Sequence, residues 1–140
     1  MIESKRIYID TSPYIYYLEK NLQYGDRVKA FLVNNYNLGT EFVTSVITIE
    51  EYSIVPYREN NKKLLEDFDM LIEDMETSVI DITKLIAKKA AQIRAEYKNF
   101  KAMDALQLAA AVKSSCSVFL TNDKQLRQFK ELKVITMEDI

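Results

Sequence analysis

The chain has 140 residues, 48% apolar and 29% charged, with a net charge of −2; this is the profile of a single globular domain over 1–140 with enough apolar mass for a core. It contains no histidine, two glycines and one cysteine, which removes imidazole catalysis, Ser-His-Asp triads, the usual zinc ligands, glycine-rich phosphate cradles and any internal disulfide. No apolar run approaches the roughly 20 residues of a membrane span, and residues 1–6 lack the apolar segment of a signal peptide, so a cytoplasmic protein away from membranes is expected. Carboxylates, hydroxyls, lysines and a metal held by oxygen remain as means for hydrolytic chemistry. The net charge argues against a uniformly basic nucleic-acid binder, while leaving room for a basic rim around an acidic centre.

Ile7, Tyr8 and Ile9 form the short apolar run of a strand buried on both faces. The run stops at Asp10, and Thr11, Ser12 and Pro13 follow as a helix start, with a hydroxyl as the expected cap. Asp10 is therefore placed where a strand ends and a helix begins, the edge at which open α/β sheets bind ligands. Helices are predicted over 13–20 and 26–34, then a turn over 34–39 and a strand over 41–44. Ser45 is the expected cap of a helix that runs to Val55 and is ended by Pro56. Apolar residues at Leu64, Leu65, Phe68, Leu71, Ile72 and Met75 give 60–75 the stripe of an amphipathic helix. A strand over 78–82 precedes a helix capped by Thr83, with Leu85, Ile86, Ala90, Ile93 and Tyr97 expected inward. Residues 102–113 read as a buried helix, 118–120 as a strand, and Val134-Ile135 as the last strand. Strands alternating with helices imply an α/β fold: a central, mostly parallel sheet in a three-layer α/β/α sandwich.

Four acids occupy ligand-binding positions in this arrangement. Asp10 and Asp123 each follow an apolar strand, Glu51 lies in the helix after the 41–44 strand, and Asp104 opens the most apolar helix. Singly, each is explained by helix dipoles and free N–H groups. Together they make a cluster that a fold retains readily around a cation, since two carboxylates about 4 Å apart repel by on the order of 4 kcal/mol at an effective dielectric near 20. Oxygen-only ligation favours Mg²⁺ or Mn²⁺, which activate water for phosphodiester hydrolysis. Asp81 is assigned a structural role near the Thr83 cap. Between the adjacent Glu50 and Glu51, a buried stripe marked by Ile47, Ile54 and Val55 points to Glu51 for the centre and leaves Glu50 toward solvent.

Ile-Asp-Thr-Ser at 9–12, Thr-Ser-Val-Ile-Thr-Ile-Glu-Glu-Tyr at 44–52, Met-Asp-Ala-Leu-Gln-Leu-Ala-Ala-Ala at 103–111 and Phe-Leu-Thr-Asn-Asp at 119–123 resemble, in order and spacing, the four blocks of a PIN domain. More narrowly they resemble the VapC-type toxins of prokaryotic toxin–antitoxin pairs. The resemblance implies a metal-dependent ribonuclease acting on single-stranded or structured RNA. Asp10, Asp104 and Asp123 would hold Mg²⁺ or Mn²⁺, Glu51 would complete the acidic quartet, and Thr121 would support Asp123 or a water. It also implies a cognate antitoxin and a homodimer, with Tyr14, Tyr16, Tyr17 and the helix over 60–75 as contact surfaces. Two departures are visible: a second acid at Glu50, and Tyr52 in place of an aliphatic residue.

Other readings compete. A phosphatase of the haloacid dehalogenase type also places Asp after its first strand, yet needs a second Asp where Ser12 stands. A catalytically silent PIN module that only binds protein or RNA has no need of four acids. For RNA contacts, Arg58, Lys62 and Lys63 form one basic group, and Lys88, Lys89, Arg94, Lys98 and Lys101 another; both also read as solvated helix faces, and no RNA-binding residue is assigned.

Overall fold

The structure, a computed structural model, describes residues 5–140. Its centre is β1 (Arg6–Ile9), whose alternation decides the layers: Ile7 and Ile9 point to one face of the sheet and Tyr8 to the other, all three buried. Around it stand β2 (Glu41–Ser45), β3 (Ser78–Ile80), β4 (Val118–Thr121) and β5 (Lys133–Thr136), all pairing in parallel in the order β3-β2-β1-β4-β5. Two helices follow each of the first three strands: α1 (Thr11–Leu18) and α2 (Gly25–Asn37), α3 (Val46–Arg58) and α4 (Lys62–Asp74), α5 (Lys84–Glu96) and α6 (Ala102–Lys113). Ile7, Ile9, Phe42 and Leu120 pack with residues of α1–α4, whereas Tyr8, Val43 and Phe119 pack with α5 and α6. This is the expected three-layer sandwich.

Strand order reverses between β1 and β4, so the loops leaving these two neighbours diverge to opposite faces and open a crevice at their C-terminal ends. Register makes the ends meet there: Ile9 pairs with Leu120, and the Asp10 amide donates to the Leu120 carbonyl at 3.0 Å.

Two expected helix caps are as read: Ser45 and Thr83 accept backbone N–H groups from Ile47 and Ile86. The helix expected over 60–75 spans Lys62–Asp74, with the Asn61 side chain accepting from the Leu64 amide. Elsewhere the structure departs from the pattern. Asp10 itself, rather than a hydroxyl, caps α1, its side chain accepting from the Thr11 amide. Helix α2 runs on to Asn37 and is followed by Gly39 at φ 84°, a conformation that glycine alone adopts without steric penalty. Pro56 lies inside α3, two residues before its end; it forgoes a single backbone bond near the terminus while burying its ring. Leu85 is exposed, because Ile86, Ala90 and Ile93 already fill the inner stripe of α5.

Ser45 Oγ both caps α3 and lies 2.7 Å from the buried Tyr8 hydroxyl. Ser45→Ala is expected to lower stability by about 1–2 kcal/mol, the loss of a cap plus a buried hydrogen bond. Urea unfolding followed by circular dichroism reads this directly.

Candidate active site: an acidic centre at the sheet edge

Each of the four acids reaches the edge by a different route. Asp10 follows β1 and is buried; Glu51 stands on the second turn of α3, placed by the Ser45 cap; Asp104 is in the first turn of α6; Asp123 follows β4 and caps the short 3-10 turn Lys124–Gln128.

Asp10 is the most tightly held. Its Oδ1 accepts from the Thr11 amide at 2.6 Å and from Gln107 Nε2 at 2.8 Å, and its Oδ2 accepts from Thr121 Oγ1 at 2.7 Å. Glu51 Oε1 accepts from Thr11 Oγ1 at 2.7 Å and from Gln107 Nε2 at 3.1 Å. The Thr121 hydroxyl thus holds the carboxylate of Asp10, while on the Asp123 side it accepts the backbone amide, at 3.1 Å. Asp123 Oδ1 accepts from the Gln125 amide, and the Asp104 carboxylate has no hydrogen-bond partner among the described residues.

Electrostatics ties the four together. Burial pushes the Asp10 carboxyl up, with the Asp123 charge adding to it and three hydrogen bonds working against it. Burial also raises Glu51, opposed by the Thr11 hydroxyl and reinforced by Asp10. Asp104 is pushed up to about 6, first by burial and then by the charges of Asp10, Asp123 and Glu51. Glu50 is exposed and Glu51 is half-buried. The stripe that singled out Glu51 is nevertheless different from the expected one: Thr48, Tyr52 and Pro56 are buried, whereas Ile54 and Val55 face solvent.

The donor set is oxygen only and densely negative, which suits a hard divalent cation in chemistry and charge. Among the described residues, no group of three or more acidic, histidine or cysteine side chains is drawn tightly enough together to clasp one ion as placed. The fit is therefore one of ligand type and field.

Sequence reasoning missed the groups that hold these acids. Gln107, one helical turn after Asp104, is 1% exposed, and Tyr8 and Thr48 are fully buried behind it. The available signal was an amide at i+3 from Asp104 on an otherwise apolar helix face. Tyr14, expected as a contact surface, is 2% exposed and packs edge-on against Phe68 in the core. Tyr16 is partly covered, with its hydroxyl accepting from Asn122 Nδ2 at 2.6 Å, next to Asp123.

A doubly wound parallel sheet with carboxylates gathered at its switch point defines a class of α/β protein whose business is done at the C-terminal edge. The PIN domain family model matches residues 7–132, and the chain belongs to that family. No curated protein matches it at the sequence level. Among the solved structures similar to it in fold are the following three. With VapBC2 of Rickettsia felis, bound to a DNA fragment from its promoter, identity is 15% and the TM-score 0.73, covering 94% of this chain and 98% of that one. FitAcB of Neisseria gonorrhoeae gives 21%, 0.73, 96% and 99% in the same order. A toxin–antitoxin complex from Klebsiella pneumoniae gives 21%, 0.70, 96% and 99%.

The raised carboxyls have a consequence for stability. In the unfolded chain Asp104 loses its proton near its ordinary value of about 4, whereas in the fold it keeps it to about 6. The native state therefore gains from low pH, and that gain is lost as pH rises through about 6; Asp10 and Glu51 shift in the same direction. Without divalent ions, the calorimetric melting temperature should fall as pH rises from about 4 through about 6 and level off above that. Asp104→Asn should flatten this slope and melt higher than the wild type at the alkaline end.

Proposed function

We propose that this protein is an Mg²⁺- or Mn²⁺-dependent endoribonuclease, the toxin of a type II toxin–antitoxin pair. The observation that carries the reading is the convergence of Asp10, Glu51, Asp104 and Asp123 at the switch point, close enough that the charges of the other three help drive Asp104 up to about 6. A helix dipole would account for one such acid, not for four that destabilise one another. Family membership supplies the reaction class, since PIN domain nucleases generally use divalent metal ions.

Asp10, Asp104 and Asp123 would hold the ion, with Glu51 completing the set. A bound divalent ion would supply charge against the developing phosphorane and activate water for attack. The protein's own part is to bind and orient. Thr121 and Thr11 fix Asp10 from two sides. Thr11 also takes one oxygen of Glu51, leaving Oε2 without a protein partner among the described residues. With no histidine in the chain, no imidazole shares the proton transfers.

Purified protein is expected to cut single-stranded RNA with Mn²⁺ or Mg²⁺ and to stop with EDTA. Asp10→Asn and Asp104→Asn should abolish cleavage, and equal residual rates in both would expose a contaminating nuclease. Glu51→Gln should slow metal-dependent cleavage at least about tenfold, a loss of about 1.4 kcal/mol of transition-state stabilisation, with Glu50→Gln near wild type. Reversed kinetics for those two would reject the assignment of Glu51.

The antitoxin and homodimer are part of the same reading, motivated by the complexes that the fold resembles. An open groove of about 560 Å³ between α1, α2 and α4, with Leu18, Leu22 and Met70 beside the charged Lys29, Asp67 and Asp74, offers a mixed apolar and charged surface to a partner. On α3, Ile49, Ile54, Val55 and Tyr57 stand exposed and offer apolar surface to a second copy. Light scattering at micromolar concentration should report a dimer, and Val55→Glu should shift it toward monomer; a monomeric wild type would count against dimerisation.

A further inference from the structure

Gln107 carries an amide on the most apolar helix, α6, beside the buried Leu108, Ala110 and Ala111, and is itself fully buried. Leucine would fill the same space without a polar group to satisfy. Yet every hydrogen-bonding atom of this amide is used. Nε2 lies 2.8 Å from Asp10 Oδ1 and 3.1 Å from Glu51 Oε1, and Oε1 lies 2.9 Å from the Tyr8 hydroxyl and 3.0 Å from Thr48 Oγ1.

An amide's nitrogen and oxygen are alike in shape, so its partners decide which way it faces. Ionised carboxylates only accept, and so they require the NH₂ end. The opposite end must then meet donors, and Tyr8 and Thr48 supply them. Tyr8 has one proton and two neighbours, Gln107 Oε1 and Ser45 Oγ at 2.7 Å. The amide oxygen has no proton to give, so Tyr8 donates to it, and the Ser45 hydroxyl donates to the Tyr8 oxygen. Donation then runs one way, from Ser45 through Tyr8, joined by Thr48, to Gln107 and on to the two acids. A neutral group thereby bridges two negative side chains from β1 and α3.

We propose that Gln107 is the positioning residue of the acidic centre: its amide, locked by Tyr8 and Thr48, sets the spacing of Asp10 and Glu51 and so tunes the affinity for a divalent cation. The inference rests on the metal-dependent nuclease reading and adds the group that determines which oxygens are free. Thr11 and Gln107 both take Oε1 of Glu51, so Oε2 is the atom left uncommitted among the described residues.

The test measures Mn²⁺ affinity by electron paramagnetic resonance on variants shown folded by near-ultraviolet circular dichroism. Gln107→Leu should weaken Mn²⁺ binding about 10- to 100-fold, the range for losing a group that orients metal ligands. The double variant Tyr8→Phe/Thr48→Val keeps the amide but frees it to turn, and should weaken binding in the same direction; it also serves if Gln107→Leu does not fold. In metal-free wild type, the Gln107 side-chain amide protons should exchange slowly with water by NMR, and faster in the double variant. Wild-type Mn²⁺ affinity in either folded variant, or a freely exchanging Gln107 amide in the wild type, overturns the inference alone. Wild-type protein that binds no Mn²⁺ while its Gln107 amide stays protected overturns the nuclease reading, and with it this role in metal affinity.

Discussion

Asp10 has to keep a carboxylate at the inner edge of the sheet, almost out of reach of water, and a buried charge persists only where donors replace its hydration. Three donors do so: the Thr11 amide from α1, Gln107 from α6 and Thr121 from β4. Because they come from three elements, the positions of those elements are tied to one another at this point. The β1–β4 register brings Thr121 beside Asp10, and the burial of α6 against Tyr8 and Phe119 brings Gln107 over it. Misplacing any of these elements would leave a buried acceptor short of a partner. The layer order of the fold and the geometry of the site are in that sense one problem with one solution.

The other acids are held less completely, and the gradation is informative. Glu51 has hydrogen bonds on one oxygen, Asp123 a single cap bond, and Asp104 none among the described residues. Protection falls as one moves outward from Asp10. Asp104 has no such donors among the described residues, and its carboxyl rises to about 6, first through burial and then through the charges of the other three acids. A fold that spends stability in this way keeps a strong negative field at one place, and a cation entering that field would relieve the strain that the protein alone does not. The Tyr8–Phe119 stack, with ring centroids 5.0 Å apart and ring planes nearly parallel, gives the hydroxyl behind Gln107 a rigid base.

Much of this was legible in the chain. The run Ile7-Tyr8-Ile9 ending at Asp10 announced a buried strand and a site at its end, and the caps at Ser45 and Thr83 marked where helices begin. Legibility failed where a residue's surroundings come from elsewhere in the chain. Pro56 reads locally as a stop, but its position close to the end of α3 and its buried ring let the helix continue. Glu51 was selected by a stripe of Ile54 and Val55 that turned out to face solvent; the inward residues are Thr48 and Tyr52, one hydrogen-bonding Gln107 and the other the Leu64 carbonyl. Apolarity counts along a helix could not reveal that polar atoms were being satisfied inside.

By itself, then, the sequence determined the alternating strands and helices, the absence of imidazole chemistry, and the four acids at strand ends and helix starts, because those follow from periodicity, composition and spacing within a few residues. Only the tertiary structure decided that Thr121 grips Asp10 across the β1–β4 pair, and that Gln107 joins it to Glu51. These bonds link residues 97, 111 and 56 positions apart. Their partners are chosen by strand register and helix packing, and a hydrogen bond of about 3 Å depends on where two backbones have been placed, which no local pattern encodes.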